Sequence, residues 1–178
     1  MDALHGIQRV SLGVQSLAAT LMVVLPAYHL LSWFVFDDWL QRDLAGRGLN
    51  VPVEAIGAPE LLLAFAAQTL PLLLILLVLY WIHRLFGCYR RGQVFEMGTI
   101  RRFRSLAHTL FVYCLVNPLS GAAMSLIVTA RQPPGQRMLV IGFGTPELAA
   151  LIAGGVLAAI GWVMVEAKRL ADENAQIV

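Results

Sequence analysis

Four stretches of this chain are too long and too apolar to be core elements of a water-soluble domain. They run from about Val10 to Phe36, Pro59 to Phe86, Arg104 to Ala130, and Pro146 to Val165. A hydrocarbon layer of roughly 30 Å takes about 20 apolar residues in a helix, and lipid offers a bare backbone no hydrogen bonds. Each run meets that length. The reading is an all-α membrane protein, a four-helix bundle of four transmembrane helices in a single domain over residues 1–178. Only 13% of the residues are charged, about half the fraction usual in a soluble domain. The first run exceeds the core of a secretory signal and ends in Trp33, Trp39 and acids rather than a small-residue cleavage site, so it reads as a retained span.

Basic residues in the short connections set orientation, because they are kept on the cytoplasmic side. With the amino terminus inside, Arg9, Arg84, Arg90, Arg91, Arg101, Arg102, Arg104, Lys168 and Arg169 remain inside. Arg42, Arg47, Arg131 and Arg137 fall outside, so the split is nine against four. Both termini are therefore expected in the cytoplasm. Trp33, Trp39, Tyr80 and Trp81 lie near the expected interfaces, where amphipathic rings settle.

Two separate matches suggest an internal duplication. Ser16–Leu21 (SLAATL) recurs as Ser105–Leu110 (SLAHTL), and Gly57–Leu61 (GAPEL) recurs as Gly144–Leu148 (GTPEL), at offsets of 89 and 87 residues. The units, about 1–90 and 91–170, would be parallel repeats of a two-helix hairpin. Thr145-Pro146-Glu147 supplies a capping hydroxyl, a first-turn proline and an acid that suits the helix dipole. Ala58-Pro59-Glu60 is a weaker copy. The repeat also matches two outer segments, Val51–Gly57 and Arg137–Gly144, expected to cap the outer mouth as a short strand pair. Ligand capture there is the sharper alternative. Gly121, Ser125 and Thr129 on the third helix, and Ala150, Gly154 and Ala158 on the fourth, are spaced by four and offer small faces that could pack together.

Ionisable groups at bilayer depth each call for a functional hypothesis. His83 and His108 lie at similar depth near the inner surface, so a bis-histidine b-type haem is the sharp reading and hydrated interfacial histidines the plain one. No cofactor is expected. His29 has no evident partner at its own depth. Gln68-Thr69 and Asn117-Pro118 are polar sites at proline kinks, where a side chain can satisfy the carbonyl that proline frees. A polar path through a small transporter or channel subunit is their alternative use. Cys88 and Cys114 match no metal spacing and lie too differently to pair. No phosphate loop, zinc-binding histidine pair or nucleophile elbow occurs, so no catalytic residue is assigned and a non-enzymatic protein is expected. Glu60 and Glu147 are explained by capping alone. The net charge of +2 does not suggest direct nucleic-acid binding.

The most distinctive stretch is the inner loop, Gly87–Arg104 (GCYRRGQVFEMGTIRRFR). Anionic lipid attracts such a cluster by about 1 kcal/mol per basic residue, but that does not account for Gly92-Gln93-Val94-Phe95. Here the sequence resembles a bacterial family of four-helix membrane proteins, the domain of unknown function 2975 family. The shared features are a basic-Gly-x-x-Phe loop, a basic helix start, and a carboxyl tail in which Leu170, Glu173, Asn174, Ile177 and Val178 match. Ala167, where many members have glycine, and Ala175-Gln176 depart from the pattern. The resemblance covers nearly the whole chain. It implies a multi-pass protein of the bacterial inner (cell) membrane, encoded beside a small helix-turn-helix transcription regulator that it would bind. On that reading Arg90, Arg91, Gln93 and Phe95, with Leu170, Glu173 and Asn174 of the tail at about 167–178, form the contact surface. A homo-oligomer is the other expected partnership besides the lipid bilayer.

Overall fold

The computed structural model describes residues 2–35, 37–93 and 96–175. Helix α1 spans Asp2–Phe34, α2 Asp37–Gly46, α3 Ala58–Arg90, α4 Met97–Val128 and α5 Thr145–Ala175, with one 3₁₀ turn at Val53–Ala55. All but α2 are long and apolar enough to cross a membrane. The four spans alternate in direction, so both chain ends and the α3–α4 turn share an arginine-rich end. The other connections form a distal end.

The spans pack as a row, α1 on α3, α3 on α4 and α4 on α5. Among the described residues α1 and α5 do not meet, so the expected bundle is corrected to an open row. Most large apolar side chains stay exposed, including Val23, Leu115 and Trp162. Lipid is as apolar as they are, so burying them against protein gains little. Close approach occurs where side chains are small. A Cβ on Gly154 would lie 3.2 Å from Phe111, and one on Gly161 would lie 3.5 Å from Arg104.

Pro71 within α3 cannot donate to the Ala67 carbonyl one turn earlier. Ser120 of α4 donates its hydroxyl to that carbonyl at 2.5 Å, and Gln68 Nε2 donates back to the Ser120 carbonyl at 3.4 Å. The freed carbonyl is thus satisfied from α4 rather than by the adjacent Gln68, and Pro71 marks a polar seam between α3 and α4. His29 does have a partner: its Nε2 lies 3.2 Å from the Thr69 hydroxyl, and its ring stacks on Phe65.

The distal end departs from expectation. The short helix α2 folds back so that Leu40 and Leu44 join Trp33, Leu49, Ala64, Met124 and Val128 in a buried cluster. The proposed strand pair does not form, and no strand occurs among the described residues. Val53–Ala55 is a 3₁₀ turn, whereas residues 138–144 run without helix or turn alongside α4. The Met138 amide donates to the Thr129 hydroxyl at 3.2 Å and the Val140 amide to the Ser125 hydroxyl at 2.9 Å. Each hydroxyl also donates to a carbonyl of its own helix. Ser125 and Thr129 of the small-residue face therefore receive this segment, while Gly154 of α5 packs on Ala107, Leu110 and Phe111 nearer the arginine-rich end.

That segment places the start of α5 deep in the protein. Cys114 donates to the Glu147 carbonyl at 3.1 Å, and Asn117 donates to the Glu147 carboxylate. With Arg104 at the headgroups, Asn117 lies about 20 Å into a hydrocarbon layer of roughly 30 Å.

Candidate functional site

The surface singled out by sequence lies at the arginine-rich end. Gly92 takes a positive φ of 75°, as a helix-ending glycine does. The Gly92 and Gln93 amides then close on the carbonyls of Tyr89 and Cys88, at 3.0 and 3.1 Å. The Thr99 hydroxyl donates to the Gln93 carbonyl at 2.6 Å, tying the turn to the first turn of α4. Arg91 donates to the Gln93 side chain at 3.2 Å and to the Cys88 sulfur, while Arg90 reaches Gln15 of α1 at 3.4 Å. Among the described residues, none of the six arginines from Arg84 to Arg104 forms an ion pair. Phe95, with Val94, lies outside the described residues.

The tail continues α5 past Glu166 by about 14 Å. Its charges pair along the helix, Arg169 with Glu166 and Glu173 and Lys168 with Asp172. Leu170, Glu173 and Asn174 are exposed. Ile177 and Val178 lie outside the described residues.

The two histidines considered for haem are not brought together. His83 Nδ1 lies 3.2 Å from the Gln15 carbonyl, on the α1 side of α3. His108 Nδ1 lies 2.6 Å from the Arg104 carbonyl of its own helix and lines a cavity between α4 and α5. Both cysteines are free. Among the described residues no three His, Cys, Asp or Glu side chains cluster as metal ligands.

A second site, which sequence reading did not assemble, lies at the distal end. A cavity of about 800 Å³ opens between α2, the middle of α4 and the descending segment, with Arg42, Asp43, Arg47, Asn117 and Glu147 in its walls. Arg47 pairs with Asp43 through Nε at 2.9 Å. Its Nη1 lies 3.4 Å from where a Cβ of Gly121 would stand, so the glycine admits the guanidinium against α4. Glu147 is 3% exposed. One oxygen accepts from the Asn117 amide and the other from the Gly144 N–H at 2.7 Å, half of a capping box. The carboxylate, not a Thr145 hydroxyl, caps the helix, because Thr145 is already within it. Asn117 and Glu147 are 30 residues apart and had separate local explanations, so only the three-dimensional path of residues 138–144 joins them.

No curated protein and no solved structure matches this chain. A family described as "Protein of unknown function (DUF2975)" matches residues 16–178. That span takes in the second half of α1, the other three membrane helices, the arginine-rich turn, the distal cavity and the tail, and the chain belongs to this family.

Proposed function

We propose that the protein is a non-enzymatic membrane anchor that binds a cytoplasmic protein through its arginine-rich end, a small helix-turn-helix regulator being the partner class. The observation that carries this reading is a fixed turn ringed by arginines that form no ion pair among the described residues. A mobile basic loop would suffice to hold lipid headgroups, but this turn is closed by its own backbone and tied to α4 through Thr99. Beside it α5 extends past the membrane with Leu170 exposed. An apolar residue on a charged helical extension is the kind of anchor a partner buries. The turn and tail face the cytoplasm in this reading, as the distribution of basic residues favours.

In-cell crosslinking followed by purification in mild detergent tests it. A double Arg90→Glu/Arg91→Glu variant, Phe95→Ala and a deletion from Lys168 onward should all insert normally yet lose a crosslinked cytoplasmic protein. Recovery of that protein undiminished from all three would overturn the reading. So would labelling of the turn from outside the cell.

A further inference from the structure

We infer that the distal cavity binds a zwitterion, a small group carrying a primary ammonium and a phosphate. The ammonium meets Glu147, and the anionic end meets Arg42 and Arg47.

The argument begins with Glu147. Its carboxylate is buried at membrane depth, and both oxygens receive hydrogen bonds from neutral donors only. Among the described residues no Lys, Arg or His nitrogen pairs with it. A carboxylate removed from water and left without a cation is costly, and ionisable groups at this depth are retained where they pair or line an aqueous path. The cavity beside Glu147 supplies the room for a cation. A lone carboxylate and one carboxamide make a poor metal cage, but a carboxylate with unused lone pairs accepts readily from an ammonium.

The positive side lies above it. Arg42 is exposed and has no hydrogen-bonding partner among the described residues. Arg47 commits Nε to Asp43, and among the described residues its terminal nitrogens make no hydrogen bond, so they can fork onto an oxyanion. Gly121, under Arg47, is one helical turn above Asn117, a rise of about 6 Å. The Arg47 and Glu147 contacts on α4 are thus one helical turn apart, a spacing that suits the two ends of an aminoethyl phosphate. The four charged side chains lining the cavity, Arg42, Asp43, Arg47 and Glu147, sum to zero. Arg47 is already paired with Asp43, so a simple anion would leave the buried carboxylate uncompensated, and a simple cation would leave Arg42 without an anion among the described residues. A zwitterion satisfies both. Gly142 of the descending segment has nothing within 4 Å of its missing Cβ, so that wall is open backbone.

Two sources present this chemistry, the headgroup of an ethanolamine phospholipid and a free aminoalkyl phosphate. The purified full chain in non-ionic detergent distinguishes them. Phosphatidylethanolamine and phosphatidylglycerol are compared by native mass spectrometry, and O-phosphoethanolamine by titration calorimetry. Saturable one-to-one binding of an ethanolamine ligand is expected, weakened about tenfold by Glu147→Gln and by Arg42→Gln. Binding of the free compound identifies a soluble source, and binding of the lipid alone identifies a headgroup. Arg42 is exposed, so its variant tests the site even if Glu147→Gln perturbs folding. The inference fails if neither ethanolamine compound binds, if phosphatidylglycerol binds equally well, or if Arg42→Gln leaves binding unchanged. It does not depend on the partner proposed for the opposite end.

Discussion

Glu60 and Glu147 occupy matching places in the two hairpins and lead different lives. Each is the third residue of its helix, follows a proline, and stands three residues after a glycine. Each helix opens with the same bond, from Leu61 to the Gly57 carbonyl at 2.9 Å and from Leu148 to the Gly144 carbonyl at 3.2 Å. Yet Glu60 pairs at 2.8 Å with Arg131, whose side chain is 59% exposed, whereas Glu147 is buried against an amide and a backbone N–H. The connections make the difference. The first lies over the distal end as α2 and a 3₁₀ turn, and α3 starts near the end of α4. The second descends along α4, so α5 starts near Asn117, about 16 Å below Val128. One local motif yields an acid held by an exposed arginine in one hairpin and the floor of a cavity in the other.

The largest expected effect comes from removing each acid's partner. Asn117→Leu leaves a buried carboxylate short of a donor. A hydrogen bond to a charged group is worth about 1.5–3 kcal/mol, and its loss in a buried setting carries the full desolvation cost. Arg131→Leu removes an exposed partner whose contribution solvent already screens. Thermal unfolding in detergent should therefore show a clear drop in Tm for Asn117→Leu and almost none for Arg131→Leu. Equal drops would mean that the two acids are equivalent after all.

The connection itself provides the next test. Ser125 and Thr129 are the hydroxyls that hold the Val140 and Met138 amides. Replacing both by alanine removes two hydrogen bonds of about 1 kcal/mol each. Hydrogen exchange at Met138 and Val140 should accelerate by about tenfold or more, with the α2 amides unaffected. Unchanged protection would show that the descending segment is held by packing alone.

How much of this was legible follows from the range of each interaction. The spans were legible because a long apolar run has few other uses, and the free carbonyl at Pro71 was legible because proline's missing N–H is a local fact. The α2 helix left a fainter trace: Asp37 and Asp38 precede Leu40 and Leu44, an acidic start followed by an i, i+4 apolar pair. It was hidden beneath the stronger signal of the neighbouring span. The small-residue face of α4 was visible, but its occupant was not. Four-residue spacing of Gly, Ser and Thr suits a helix or an extended chain equally well, and the hydroxyls chose the chain with free amides. The pairing of Asn117 with Glu147 was not readable at all, because each residue had a sufficient local reason to be where it is.

The smallest expected effect separates the two glycines. A Cβ on Gly57 would run into Glu60 Oε2 and lie 2.6 Å from Arg131 Cζ, so alanine there must displace both side chains of the ion pair. The Gly57 backbone, at φ −69° and ψ 154°, accepts alanine without strain. A Cβ on Gly144 would meet Pro146 Cδ at 3.5 Å and Glu147 Oε2 at 3.6 Å, both ordinary contacts. Gly57→Ala should therefore lower Tm slightly and Gly144→Ala should not, although Gly144 adjoins the more important acid. In a Glu60→Ala/Arg131→Leu background the Gly57→Ala effect should vanish, because both clashing side chains have gone. A cost that persisted there would assign Gly57 to the backbone rather than to the ion pair, and would break the contrast between a glycine that accommodates a surface partner and one whose N–H holds a buried carboxylate.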